Sequence, residues 1–125
     1  MTVLVCGGRD YDDKTALFDA LNALHAQTPI VRLVHGAARG ADSLAATWAL
    51  FNGVFAAGYK AQWDAYGKAA GMIRNQEMLD CEKVDLVVAC PGGRGTADMV
   101  RRAVKAGVRV VHVTPASPAP AAGVH

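Results

Sequence analysis

Three times along this chain a short, β-rich apolar run ends in glycines with an arginine among them, and a segment of helical period follows. The first of these loops is Gly7, Gly8, Arg9 and Asp10, after the run 2–6. The second carries Gly36, Arg39, Gly40 and Asp42 after the run 30–35, and the third is Pro91, Gly92, Gly93, Arg94, Gly95 and Thr96 after the run 85–90. Strand, glycine turn, helix, repeated, marks a parallel sheet whose connections are helices. Because such crossovers are right-handed, every loop that follows a strand lies at one carboxyl edge of the sheet. Three loops of unusual chemistry are therefore expected side by side.

Periodicity supplies the remaining elements. A first helix is predicted over 13–27, capped by Asp12 or Asp13, with Leu17, Leu21 and Leu24 on one face. Pro29 blocks its continuation. A second helix begins near Gly40 to Asp42 and is expected to bury Leu44, Trp48 and Phe51, spaced i, i+4 and i+7, before Asn52 and Gly53 supply a left-handed C-cap. A weaker third strand is predicted over 54–59, an irregular stretch over 60–71 and a helix over 72–81. A further helix is expected over 95–106, ended by Gly107, and a fifth strand over 109–114. The run 85–90 is continuously apolar, which suits a central strand buried on both faces. The fold class that results is α/β, a Rossmann-like three-layer sandwich with a mostly parallel sheet of about five strands. In the common 3-2-1-4-5 order the helices after strands one and four leave on opposite faces, and a crevice opens between the first and third loops.

Bulk properties narrow the function classes. A length of 125 residues, 52% of them hydrophobic, fits one domain, expected over 1–114, followed by a Pro/Ala-rich tail over 115–125. No apolar run reaches the roughly 18 residues of a membrane span. The amino terminus enters an apolar strand without a basic segment or a cleavage site, so the expected setting is cytoplasmic. Cys6, Cys81 and Cys90 form no CxxC pair and, with the histidines, show no metal-ligand spacing; no metal and no cofactor is expected. A formal net charge of +2 with intermixed signs argues against a tract that neutralises many nucleic-acid phosphates, and not against a local anion site.

The loops carry the chemistry. Glycine lets a ligand approach the main chain with no Cβ in the way, and the helix behind it presents unpaired N–H groups and the positive end of its dipole. An arginine in each loop adds a forked donor matched to phosphate. The structural alternative is that the glycines are only tight turns, with Arg9, Arg39 or Arg94 paired to Asp10, Asp42 or Asp98. Three such loops at one edge favour a site for a phosphate-bearing, nucleotide-like ligand.

The order G-G-R-D, H-G-x-x-R-G-A-D, W-x-x-Y-G-x-x-A-G-x-x-R-N-x-x-M-L and P-G-G-x-G-T, over about residues 3–113, resembles the SLOG superfamily. That group joins the Smf/DprA proteins to the "lonely guy" nucleotide hydrolases, and the YspA-like, cpYpsA-related branch is the most similar. The resemblance implies a Rossmann-like fold, a nucleotide or nucleotide-derived ligand, and at least a dimer. The hydrolases cleave the N-glycosidic bond of adenine-type nucleoside monophosphates, and their motif reads P-G-G-x-G-T-x-x-E after an upstream Arg-Lys pair. Arg74 matches that arginine, Asn75 stands at the lysine position, and Pro91 to Thr96 match the loop. The glutamate position is Met99, with Asp98 just before it. A thioether neither activates water nor stabilises developing positive charge. Neighbouring helical residues diverge by about 100°, so Asp98 is no direct substitute. Met99 is expected to face the core, which leaves hydrolysis as an alternative rather than the expectation.

Other residues are expected as follows. Arg74 and Asn75 open a helix beside the loops and contact the ligand. Trp63, with Tyr66 nearby, stacks on a base or covers the sheet edge. Asp42 caps the second helix or pairs with Arg39, Asp10 meets a ribose hydroxyl or a metal, His35 is packed and Glu77 is solvated. The expected function is binding of a nucleotide-derived ligand, as a sensor or divergent nucleotide-processing protein, in a homo-oligomer. One alternative is an N-glycosidic hydrolase of nucleoside monophosphates using Arg74 and Asp98, or Glu77, Asp42 or Asp10. Another is DprA-like single-strand binding, against which the near-neutral charge counts.

Overall fold

Five strands, β1 (Thr2–Cys6), β2 (Arg32–His35), β3 (Phe55–Gly58), β4 (Leu86–Ala89) and β5 (Arg109–His112), form one sheet in the order β3-β2-β1-β4-β5. Every neighbouring pair is parallel. The computed structural model describes residues 1–115, so the stretch read as a tail lies outside the described residues from 116 on. Helices α1 (Lys14–Gln27), α2 (Ala41–Phe51), α3 (Trp63–Tyr66), α4 (Ala70–Cys81) and α5 (Arg94–Lys105) make the connections.

Side-chain alternation along the central strands builds two cores. Val3 and Val5 of β1, with Leu33, Leu86 and Val88, pack on Leu17 and Leu21 of α1 and Ala45, Trp48 and Ala49 of α2. Leu4 and Cys6, with Val34, Val87 and Ala89, pack on Met78 of α4 and on Met99 and Ala103 of α5. Successive residues of one strand thus face opposite helix layers, as the pleat requires. The result is the expected three-layer sandwich. Among the described residues no helix is long and apolar enough to cross a membrane.

The strands after β1 are shorter than the apolar runs that announce them. The flanking residues still bond into the sheet: Asp85 N–H donates to Thr2 O, Cys90 N–H to Cys6 O and Val113 N–H to Ala89 O. Sheet hydrogen bonding therefore extends about one residue past β4 at both ends and past β5 at its carboxyl end. Asp13, not Asp12, caps α1, its Oδ1 accepting from Ala16 N–H at 3.1 Å. The buried face of α2 is Ala41, Asp42, Ala45, Trp48 and Ala49, whereas Phe51 is 73% exposed. Small residues let α2 lie close to the sheet, and at about 100° per residue Phe51 falls some 120° from the centre of that face. The stretch 60–71 is not irregular throughout, since α3 and a 3-10 turn (Gly67–Ala69) lead into α4, which begins at Ala70 rather than at 72.

Candidate functional site

The order β3-β2-β1-β4-β5 places the topological switch between β1 and β4, where open parallel sheets leave a crevice beyond the strand ends. α1 and α5 do leave on opposite faces. A cleft of about 570 Å³ lies there. Its walls come from all three glycine loops and from α3 and α4, and they include Gly7, Gly8, Arg9, Gly36, Asp42 and Trp63. Arg74, Asn75, Gly93, Arg94, Gly95 and Thr96 complete the set of sequence-predicted residues that converge.

The glycines divide into two kinds. Some are demanded by the protein's own packing. A Cβ on Gly7 would lie 2.6 Å from Ala41 Cβ and 2.7 Å from Cys90 Cβ, one on Gly92 would strike Thr96 Oγ1, and one on Gly40 would strike Gly8 O. Gly40 also sits at φ +77°, where a side chain is strained. These close approaches knit the loops together: Gly8 N–H donates to Pro91 O at 2.9 Å, and Ala41 N–H donates to Gly8 O at 3.2 Å. Gly93 and Gly95 are different, because a Cβ on either would meet no protein atom within 4 Å. Both line the cleft at the start of α5, whose N-cap Gly93 makes no side-chain cap bond. The unpaired amides of that first turn, and the dipole behind them, make a place for an anion.

Half-buried Arg74 and buried Asp42 form the polar floor. Arg74 lies in the second turn of α4, not at its opening, and its Nη1 donates to Gly36 O at 2.6 Å. Asp42 is 7% exposed and its Oδ2 accepts from Gly36 N–H at 3.1 Å and Ala38 N–H at 3.2 Å. Asp42 therefore ties down the loop after β2 and neither caps α2 nor pairs with Arg39. Burial pushes its carboxyl up to about 6, against the loop hydrogen bonds and the charge of Arg74, which pull it down. Of the carboxylates weighed from sequence, Asp42 alone lines the cleft.

The others are engaged elsewhere. Asp98 is buried and accepts from Arg102 Nε at 2.8 Å and Asn75 Nδ2 at 3.1 Å, with Arg101 at 3.6 Å. Burial works against its charge, but the hydrogen bonds from Arg102 and Asn75 and the arginine charges together hold it below the usual carboxylate range. It is a structural anion, so the catalytic role that the hydrolase alternative gave Asp98 does not fit its surroundings. Glu77 lies on a groove along the outer face of α4. Asp10 has a 93% exposed side chain and pairs with Arg39 at 3.1 Å, the bland pairing of the first loop with the second. Met99 is fully buried among Leu4, Cys6, Val34 and Met78, facing the core as expected.

Asn75 has a bracing role that its motif position does not reveal. Besides Asp98, its Nδ2 donates to Gly95 O at 3.2 Å, so α4 holds the first turn of α5 in place. His35 is packed, its Nδ1 accepting from Ala37 N–H at 3.0 Å. Cys6 lines the cleft floor, but burial pushes its thiol up to about 12, and Cys90 is pushed up to about 11. Such thiols are inert packing groups. Trp63 carries the Arg9 guanidinium 5.5 Å from its ring centroid, whereas Tyr66 lies outside the cleft wall. Lys60 and Lys68, which line the site with its neighbouring chamber, escaped the sequence reading. Their position after β3 was the available signal, because that loop too must lie at the carboxyl edge.

The comparisons with known proteins bear on the family and the fold. The chain is 40% identical over 119 residues to the Gene 61 protein of Mycobacterium phage D29, a match that covers 88% of this chain and 94% of that protein. Its fold is similar to that of the Moco Carrier Protein from Chlamydomonas reinhardtii, with a TM-score of 0.60 and 18% identity over 92% of this chain and 76% of the other. It is also similar to DNA processing protein A (DprA) from Streptococcus pneumoniae, with a TM-score of 0.50 and 19% identity over 88% of this chain and 58% of that one. At those identities the two structures speak to fold alone. Residues 1–66 match the YspA, cpYpsA-related SLOG family, and this chain, with its glycine loops at one edge of a five-stranded parallel sheet, belongs to that family.

Proposed function

We propose that this protein binds a nucleotide or nucleotide-derived ligand in the carboxyl-edge cleft, with a phosphate at the first turn of α5. The observation that carries this is the contrast among the loop glycines. Those packed against protein would clash if substituted, whereas Gly93 and Gly95 look onto open cleft. Glycine there keeps a helix N-terminus bare for a ligand rather than for the fold. Arg74 and Arg94 line the same cleft, and its volume of about 570 Å³ is in the range of small-ligand sites. A carrier and a DNA-processing protein share the fold, and a formal net charge of only +2 favours the small ligand over a strand.

Arg74→Ala tests the reading. Loss of a charge-assisted contact costs about 1.5–3 kcal/mol, so calorimetry should show adenosine monophosphate weakened by roughly tenfold or more, with adenosine nearly unchanged. Equal losses for the two would mean that Arg74 does not meet phosphate.

A second reading, hydrolysis of the N-glycosidic bond, is favoured by one observation: Asp42 is a buried cleft carboxylate raised to about 6, near the working range of a general base. Free adenine released from adenosine monophosphate by the wild type, and not by Asp42→Asn, would establish it.

A further inference from the structure

Beyond Trp63 the cleft continues into a second chamber of about 410 Å³. The two share Arg9, Gly36, Ala38, Trp63 and Arg74, so a ligand in one can reach into the other. Arg9, Arg39, Lys60 and Arg74 line the second chamber, and no carboxylate does. This is concentrated charge in a chain whose formal net charge is only +2.

Little of that charge is neutralised within the protein. Arg39 meets Asp10, but both side chains are largely exposed, and such pairs contribute little. Among the described residues Arg9 and Lys60 form no ion pair, and Arg9 rests on the Trp63 ring instead. Arg74 is spoken for by Gly36 O. Burial lowers its affinity for its proton, Asp42 offsets this, and the like charge of Arg9 lowers it further. Four cations held around one opening repel one another, and an anion between them would remove that cost.

We infer that this chamber is a second anion subsite, and that the ligand is a nucleotide carrying a further anionic group on an arm beyond its first phosphate. The inference rests on the nucleotide reading of the main cleft and narrows it. A nucleoside monophosphate fills only the first subsite. A polyphosphate tail, or a pyrophosphate joining a second sugar, passes Trp63 and meets Lys60 and Arg39.

Calorimetry of the full chain with adenosine monophosphate, adenosine triphosphate and adenosine diphosphoribose tests this, using wild type, Lys60→Glu and Lys60→Arg. Lys60 is exposed, so the variants should fold. At least one of the two longer ligands should bind wild type about tenfold or more tighter than the monophosphate, and which one does so distinguishes tail from second sugar. Lys60→Glu should reduce that advantage to within about threefold while leaving the monophosphate nearly unchanged, and Lys60→Arg should keep it. If the monophosphate binds but neither longer ligand binds more tightly, or if the advantage survives Lys60→Glu, the second subsite is wrong and the main cleft stands. If none of the three binds, the nucleotide reading falls and the subsite with it. A single-stranded oligonucleotide that displaces the best nucleotide and binds more tightly would overturn the inference in favour of strand binding.

Discussion

Gly93→Val should fold like the wild type and lose at least about 100-fold in affinity for adenosine monophosphate. The two halves of that expectation have separate causes. A Cβ at Gly93 meets no protein atom within 4 Å, and Gly93 does not lie at positive φ, so packing does not oppose the substitution. A branched side chain there occupies the space before the first turn of α5, where the phosphate would accept from main-chain amides. Losing two such charge-assisted bonds, at about 1.5 kcal/mol or more each, gives roughly 100-fold or more. Gly92→Val is the informative contrast. Its side chain would collide with Thr96 and the Gly8 backbone, so it should lose stability as well. A Gly93→Val protein with wild-type thermal unfolding and wild-type nucleotide affinity would show that the bare helix start has no ligand.

Met99→Glu should cost stability heavily, by about 3–5 kcal/mol or more, and should not restore hydrolysis. In the hydrolases that the motifs resemble, this position holds the glutamate after the phosphate loop. Here Met99 is fully buried in the apolar layer between the sheet and α5. Four residues of that layer, Leu4, Val34, Val87 and Ala103, offer a carboxylate nothing to bond to, and an unpaired buried charge is among the costliest substitutions a small domain can suffer. Urea denaturation should show a much lower midpoint, whereas Met99→Leu, which conserves volume, should stay within about 1.5 kcal/mol. Wild-type stability in Met99→Glu, together with new release of adenine, would mean that the position turns toward the cleft.

Much of the fold could be read from the chain because local chemistry and global layout agree. Each β-rich run reaches the sheet, and the glycines that end them sit at one edge because parallel crossovers leave no other place. What stayed hidden depends on directions that spacing does not encode. Phe51 satisfied the i+7 count, yet the alanines of α2 take the sheet face and turn it to solvent. Arg39 looked like Asp42's partner in its own loop, but the loop turns it outward to Asp10 while Asp42 turns inward to Gly36 and Ala38. Asp98 looked free to act, and only the packing of α4 against α5 shows it committed to Asn75, Arg101 and Arg102. The division of the glycines into those the fold needs and those it leaves open is likewise invisible in a motif. It requires knowing what each missing Cβ would touch.

Backbone amide chemical shifts, followed by NMR as adenosine monophosphate is added to the full chain, test the central claim most directly. The largest changes are expected at Gly93 to Thr96, the first turn of α5, with smaller ones at Gly8, Arg9, Gly36 and Ala38, which border the same cleft. Adenosine without phosphate should leave the α5 amides nearly still. Saturable changes confined to residues outside the cleft, or α5 changes of equal size for adenosine and its monophosphate, would contradict a phosphate site at that helix start.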